Sequence, residues 1–359
     1  MQKIVLATGG TGGHIFPALA VAEELYQRFQ NIKVLFIGGK YGAEEQLIVK
    51  KGYNFVGLPV KGFAGRGITG VLQLRYLVWS MLKSWQILKS FKPEIVVGFG
   101  SYPSFAPVYV AGLLGIKTAI HEQNSFPGMT NRWLGKRVDK ILLSFSDQYD
   151  MFPKEKTVVV GNPVRRELLA VGEKVDFSGK HLLILGGSQG AKAINEAVLN
   201  CLPELKQAKV KIWHQTGTKH YAKVKEVYAQ VYPEARVEPF IEDMAKAYGF
   251  ADLVVTRAGA STVAELIATK RPAVLIPYPY AINNHQLKNA QVLEKVGAGI
   301  ILMEPYLEEI DFGDILIDLL DSPQKLAKVS KQIEQIGQDV PASQKIIVEL
   351  EKIINEFKG

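Results

Sequence analysis

The sequence predicts an α/β protein of two doubly wound domains, each a parallel sheet covered by helices, facing one another across a cleft. Three observations carry this. The chain of 359 residues is longer than one ordinary hydrophobic core. Short apolar runs ending in glycine alternate with helical stretches along its whole length, as parallel strands buried on both faces do. Finally, one unit of strand, glycine turn and helix start occurs twice. Residues 4–8 run into Gly9, Gly10, Thr11, Gly12, Gly13 and His14, and residues 181–185 run into Gly186, Gly187, Ser188, Gln189, Gly190 and Ala191. Such a turn aims backbone N–H groups and the positive end of a helix at one point, where an anion fits. Each half therefore reads as a Rossmann-like domain with its own phosphate cradle.

In the first half, strands are expected at 3–8 (KIVLAT), 33–39 (KVLFIGG), 94–100 (EIVVGFG), 117–123 (KTAIHEQ), 140–145 (KILLSF) and 157–162 (TVVVGN). In the second half they are expected at 181–187 (HLLILGG), 211–217 (KIWHQTG), 236–240 (RVEPF), 253–259 (LVVTRAG) and 273–279 (AVLIPYP). Helices follow the glycine turns as PALAVAEEL and KAINEAVLNCL. Gly161, Asn162, Pro163, Val164 and Arg165 form the linker. Pro341 interrupts the closing helical region, so a last helix at about 342–357 is expected to return to the first domain. A dinucleotide site is not expected. It needs an acidic residue ending the second strand, and here those strands end in Gly38-Gly39-Lys40 and Thr216-Gly217-Thr218, with no glycine loop spelling GxGxxG in register.

Hydrophobic residues make up 47% of the chain and charged residues 22%, ordinary for a globular protein. Cys201 is the single cysteine, which excludes an intramolecular disulfide and fits a reducing compartment. The first apolar run breaks at Gly9 before a signal sequence can form, and no run reaches the length of a membrane span. The chain thus reads as one kept inside the cell. The net charge of +8 is uneven: residues 1–162 carry +9 and residues 163–359 carry −1. The partner of the first half is therefore expected to be acidic. No nucleic-acid motif accompanies the charge, which leaves an anionic membrane surface or a phosphorylated acceptor.

The segment richest in chemistry runs from Thr256 and Arg257 through Gly259 to Glu265, and is followed by Pro277, Asn283, Asn284, His285, Gln286 and Asn289. Small residues let a ligand approach the helix start. The hydroxyl and N–H groups of Ser261 and Thr262 suit a diphosphate, and Glu265, one turn in, suits a pair of ribose hydroxyls. The plainer alternative is that Glu265 is a carboxylate favoured in a helix's first turn.

Taken together, GGTGGH at 9–14, HEQN at 121–124, GNPVR at 161–165, GGSQGA at 186–191 and RAGASTVAE at 257–265 resemble the MurG family. These are the UDP-N-acetylglucosamine:undecaprenyl-pyrophosphoryl-MurNAc-pentapeptide N-acetylglucosaminyltransferases of peptidoglycan synthesis. The resemblance spans essentially the whole chain, with the motifs in the same order. It implies a GT-B fold and an inverting transfer of GlcNAc from UDP-GlcNAc to lipid I, making lipid II at the cytoplasmic face of the cell membrane. By the same resemblance, residues 1–162 with a closing helix at about 342–359 are the acceptor and membrane-associated domain, and 163–341 bind the donor. Proteins of cell-wall synthesis and division are implied partners. No cofactor is expected.

Carried over motif by motif, the family's donor contacts fall on Thr11, Gly12, Gly13, Asn124, Arg165, Ser188, Ile241, Ala260, Ser261, Thr262, Val263, Ala264 and Glu265. Ile241 would meet uracil through its backbone. The stretch after Pro277 is one residue longer than the family pattern, so either His285 or Gln286 takes the glutamine contact; the Gln286 amide is the better match and Asn289 the third choice. The turn Gly100, Ser101 and Tyr102 is expected to line the acceptor site, although a tight βα turn is needed there in any such fold.

The acceptor hydroxyl must lose a proton as it attacks the anomeric carbon. The His14 imidazole titrates in the right range, and a helix amino terminus favours its neutral form. The alternative is a histidine that only holds the acceptor's pyrophosphate or sugar. Glu122 is the rival base, and a carboxylate beside His121 is as easily structural. No metal is expected at the donor diphosphate, because the chain contains no Asp-x-Asp and no ligand-spaced cysteines. Helix ends and hydroxyls must then stabilise departing UDP.

Residues 71–88 are apolar nearly all round. A buried helix explains that. Trp79, Leu82 and Trp85, flanked by Arg66, Arg75, Lys83, Lys89 and Lys92, instead suit an interface with anionic lipid. Two other functions remain compatible with the motifs: a UDP-sugar 2-epimerase on the same fold, and a non-catalytic protein that binds a nucleotide sugar at a membrane.

Overall fold

The computed structural model describes residues 1–10, 12–40, 44–60, 69–172, 176–187, 189–337 and 340–355, with the backbone alone at 69–74. Thr11 and Ser188, both expected donor contacts, and Arg66, an expected flanking cation of the lipid interface, lie outside the described residues. Internal contacts divide the chain into two units, Met1–Arg165 with Asp339–Gly359, and Arg166–Gln338.

The first unit runs β1 (Lys3–Ala7), α1 (Gly12–Arg28), β2 (Lys33–Gly39), α2 (Glu44–Lys50), β3 (Asn54–Leu58), α3 (Thr69–Phe91), β4 (Ile95–Gly98), α4 (Tyr102–Leu113), β5 (Lys117–Glu122), α5 (Met129–Gly135), β6 (Lys140–Leu143) and β7 (Thr157–Val159). Its seven strands are all parallel, in the order β3-β2-β1-β4-β5-β6-β7. Successive side chains of a strand point to opposite faces. Ile4 and Leu6 accordingly join a core with α1, whereas Val5 and Ala7 join another with α3 and α4.

The second unit runs α6 (Arg166–Val171), β8 (His181–Leu185), α7 (Lys192–Asn200), α8 (Leu202–Gln207), β9 (Lys211–Gln215), α9 (Tyr221–Val231), β10 (Arg236–Glu238), α10 (Met244–Phe250), β11 (Leu253–Thr256), α11 (Ala260–Thr269), β12 (Ala273–Leu275), α12 (His285–Glu294), β13 (Gly299–Ile301), α13 (Phe312–Leu320) and α14 (Pro323–Ile336). Its six parallel strands lie in the order β10-β9-β8-β11-β12-β13. The chain then returns to the first unit as α15 (Ala342–Asn355). There Ile346, Ile347, Leu350, Ile353 and Ile354 enter the core beside α1, and Glu351 and Glu349 pair with Arg28 at 2.6 Å and Lys140 at 3.7 Å.

Two strands are absent from the sequence reading, β3 and β13. Both are edge strands and only partly buried. In both sheets the strand order reverses beside the first strand, between β1 and β4 and between β8 and β11. Open α/β sheets bind ligands at such reversals, beyond the carboxyl ends of the strands.

Candidate active site

In the first unit, the loops after β1, β4 and β5 lie at the reversal. Gly9 and Gly10 leave β1, and Gly12, Gly13 and His14 form the first turn of α1. The Gly10 N–H donates to buried Glu44 Oε1 at 2.7 Å. A protein carboxylate thus occupies that donor, so Gly10 does not offer its N–H to a ligand anion, whereas the start of α1 can. After β4, Gly100 has φ +82°, and a Cβ there would meet His14 Nδ1 at 3.2 Å. Only glycine combines that conformation with that closeness. Ser101 has φ 65° and ψ 165°, backbone that glycine normally adopts, and its carbonyl accepts from Ser104 Oγ at 2.9 Å. Tyr102 begins α4 and is exposed.

The HEQN segment ends β5 and separates into two networks, because alternate residues face opposite ways. His121 and Gln123 face His14: its Nδ1 lies 2.8 Å from Gln123 Oε1, Gln123 Nε2 lies 3.0 Å from His121 Nδ1, and His121 Nε2 lies 2.9 Å from the Gly161 carbonyl. Burial pushes His121 down to about 4; the Gly161 hydrogen bond opposes this and nearby His14 adds to it. The Glu122 carboxylate is buried and accepts from the Asn124 N–H at 3.0 Å, Asn124 Nδ2 at 3.2 Å, the Gly128 N–H at 3.0 Å and Asn131 Nδ2 at 2.9 Å. With four donors on its two oxygens, Glu122 shapes the loop that carries Asn124, and this arrangement speaks against it as a free base. Arg165, in the linker, holds its guanidinium 5.2 Å from the Phe16 ring centroid.

In the second unit, Gly259 precedes the first turn of α11. There Ala260, Val263 and Ala264 are buried, while Ser261, Thr262 and Glu265 are half-buried. Buried Tyr248 of α10 donates its hydroxyl to Glu265 Oε2 at 3.0 Å. The Ile241 N–H donates to Gln215 Oε1 at 2.9 Å, so of its backbone groups the carbonyl is the one suited to a base edge. His285 Nδ1 lies 2.9 Å from the Ile282 carbonyl, and Gln286 Oε1 accepts from the Tyr278 N–H at 3.0 Å, which directs the Gln286 NH₂ elsewhere. Asn289 is fully buried and donates to the Ala258 carbonyl at 3.3 Å, a brace for the loop before α11. Beneath the glycine turn after β8, buried His214 bridges Tyr228 Oη at 3.0 Å and Asn195 Oδ1 at 3.1 Å, and burial pushes it down to about 3. Gln123, Tyr248 and Asn131 carry no role in the sequence reading. Gln123 stands inside a motif quoted there; Tyr248 and Asn131 have no local signal.

Helix α3 is turned inside out. Val78, Trp79, Leu82 and Trp85 are 50%, 63%, 58% and 49% exposed, while Ser80, Ser84 and Leu88 face inward, the serines fully buried. No helix among the described residues is long and apolar enough to cross a membrane. Nor, among them, do three or more His, Cys, Asp or Glu residues cluster so as to hold a metal ion.

Two family models match the chain: the glycosyltransferase family 28 N-terminal domain over residues 4–143 and the C-terminal domain over residues 181–344. The UDP-N-acetylglucosamine--N-acetylmuramyl-(pentapeptide) pyrophosphoryl-undecaprenol N-acetylglucosamine transferase of Nitratidesulfovibrio vulgaris is 45% identical over 335 residues, 92% of each chain. The protein of the same name from Solidesulfovibrio magneticus is 42% identical over 351 residues, 95% of each. The crystal structure of Acinetobacter baumannii MurG superposes with a TM-score of 0.75 at 31% identity, over 98% of this chain and all of that one. The chain belongs to the MurG family. The two sheets are thus the Rossmann-like lobes of a MurG-type GT-B glycosyltransferase. In the first lobe the residues at the reversal are those of the MurG-like GGTGGH and HEQN motifs, and in the second those of RAGASTVAE.

Proposed function

We infer that this chain transfers N-acetylglucosamine from UDP-GlcNAc to the undecaprenyl-pyrophosphoryl-MurNAc-pentapeptide acceptor, lipid I, to give lipid II. The observation that carries this is likeness over more than nine-tenths of the chain to transferases of that name. A half-buried imidazole at the start of α1 suits the chemistry. The acceptor hydroxyl attacks the anomeric carbon while His14 takes its proton; the bond from that carbon to the diphosphate oxygen breaks, and UDP leaves with the electron pair. The configuration inverts. The starts of α1 and α11, with Ser261 and Thr262, supply N–H and hydroxyl donors to the diphosphate. Glu265 accepts from the ribose hydroxyls, the Ile241 carbonyl meets uracil, and the Gln286 amide, or His285, contacts the sugar. Gly12, Gly13, Asn124 and Arg165 complete the donor contacts, and Gly100, Ser101 and Tyr102 hold the acceptor.

The acceptor's isoprenoid stays in the bilayer, so the enzyme works at the cytoplasmic membrane surface as a peripheral protein. Trp79, Leu82 and Trp85 form its apolar contact, and the +9 charge of residues 1–162 attracts an anionic leaflet. Proteins of cell-wall synthesis and division are its partners in this reading. The test is radiolabel from UDP-GlcNAc appearing in an organic-extractable lipid when lipid I is supplied. Turnover of UDP-GlcNAc without lipid would favour an epimerase, and binding without turnover a non-catalytic protein.

A further inference from the structure

We propose that Gln123 and His121 are positioning residues that set the tautomer of His14: a hydrogen-bond relay from the Gly161 carbonyl fixes the His14 proton on Nδ1 and leaves the Nε2 lone pair to receive the acceptor's proton. This rests on the reading of His14 as the base.

The relay follows from donor and acceptor types alone. The Gly161 carbonyl can only accept, so His121 Nε2, 2.9 Å away, carries a proton. His121 is fully buried, which holds the ring neutral, so its Nδ1 has a lone pair and can only accept. The group 3.0 Å from that Nδ1 must therefore be the amide nitrogen of Gln123. A second contact fixes the same orientation, since this nitrogen also donates to the His121 carbonyl at 3.2 Å. Gln123 is itself buried, and it cannot turn its amide over without placing oxygen against a carbonyl and a lone pair. Its Oε1 consequently faces His14 Nδ1 at 2.8 Å and accepts a hydrogen bond from the Nδ1–H. The neutral His14 ring is then protonated at Nδ1 and basic at Nε2. Once Nε2 has taken the acceptor's proton, the Nδ1–H to Gln123 hydrogen bond persists and strengthens, because its donor becomes cationic. No bond in the relay has to break during the reaction.

Among the described residues, the charged groups around this device are engaged elsewhere. Glu44 of α2 is held by the Gly10 N–H, Glu122 at the end of β5 is held by Asn124, Gly128 and Asn131, Arg165 of the linker lies over Phe16, and His121 is neutral. An amide is therefore the group that orients His14. A carboxylate in that place would orient the ring and also retain the proton on it. The relay's far end is the linker itself, where Gly161 has φ +88°.

The decisive measurement is long-range ¹H–¹⁵N correlation spectroscopy on the full-length protein labelled at its six histidines, with a His14→Gln variant assigning the His14 signals. The relay predicts a neutral His14 with protonated Nδ1 and unprotonated Nε2, a preference lost in Gln123→Leu. A neutral His14 protonated at Nε2, or one unchanged in Gln123→Leu, overturns the relay. Kinetics give the second arm. Gln123→Leu should lower kcat roughly 10–100-fold with the UDP-GlcNAc KM nearly unchanged, the range found when the hydrogen-bond partner that orients a metal-ligating histidine is lost. Gln123→Glu should move the acidic limb of the pH–rate profile upward by about one unit or more, since a carboxylate beside Nδ1 stabilises the imidazolium. If the tautomer is as stated but the acidic limb ignores Gln123→Glu, the role of His14 as base is overturned and the relay is not. The spectrum of the unmodified chain decides the tautomer even if a variant fails to fold.

Discussion

As the proposed base, His14 meets two demands that pull apart: it must be held rigidly, and one ring nitrogen must stay open. Its main-chain carbonyl accepts from Thr8 Oγ1 at 2.8 Å and its Nδ1 is engaged by Gln123, which satisfies the first demand and leaves Nε2 for the second. His14→Ala should therefore lower kcat by about 10²–10⁴-fold with little change in donor KM, and abolish the acidic limb of the pH–rate profile. A loss confined to acceptor KM, with the limb intact, would show that His14 only binds. In the second unit the corresponding residue is Glu265. Hydrogen bonds to a charged group are worth about 1.5–3 kcal/mol each, so Glu265→Ala should raise the KM for UDP-GlcNAc at least tenfold and the acceptor KM much less. Tyr248→Phe removes the hydroxyl that holds Oε2 and should raise donor KM by a smaller factor. An unchanged donor KM in folded Glu265→Ala protein would take that residue out of the site. Because the proposed donor contacts are helix ends, hydroxyls and one carboxylate, UDP binding followed by calorimetry should survive excess EDTA. Loss of affinity on chelation, restored by Mg²⁺, would contradict this.

At the level of elements, α3 departs most from the usual pattern of a surface helix. Such a helix buries its apolar stripe; this one buries Ser80 and Ser84, exposes two tryptophans and packs against α4. The small serines let the helix lie close, and the large side chains are left outside, where water is a poor solvent and a lipid interface a good one. Replacing Trp79 and Trp85 together with serine should weaken sedimentation with anionic vesicles while leaving UDP affinity and thermal stability nearly unchanged. A variant that unfolds would place the tryptophans in the fold rather than at the interface. Attraction of about 1 kcal/mol per Lys or Arg near an anionic leaflet fades within a Debye length, so high salt should release much of the bound protein.

Across the molecule, each unit contains a buried neutral histidine, His121 in the first and His214 in the second, held down to about 4 and about 3. In the unfolded chain both titrate near 6.5. Between those values the unfolded state binds more protons than the folded one, so stability rises with pH across the window. It is complete above about pH 6.5 and falls as the pH drops towards 4, on the order of 3 kcal/mol from His121 alone. Urea midpoints should accordingly decline from pH 7 to pH 4.5. Trp213 reports the second unit and Trp79, Trp85 and Trp133 the first. A flat profile in both would mean that the rings are charged or hydrated in the folded state.

The sequence by itself determined the fold class, because a strand buried on both faces must be apolar along its length and must turn through glycine to start a helix, and both requirements are local. It also marked the turns at 9–14, 121–124, 186–191 and 257–265, whose residue types speak for themselves. The part-exposed edge strands β3 and β13 escaped that logic, whereas the edge strands β7 and β10 did not. The tertiary structure alone decided what depends on contacts distant in sequence. Apolar residues all round α3 do not say which face turns inward; the packing of α3 on α4, with Ser80 and Ser84 buried, does. A hydrophobic closing helix does not name its partner, whereas α15 does so by burying five apolar side chains in the core beside α1. The letters of HEQN do not distinguish a structural carboxylate from a base. Alternation at the end of β5 turns Glu122 towards four donors and Gln123 towards His14, 109 residues earlier in the chain. Hydrogen bonds are directional and short, so only the folded chain assigns them.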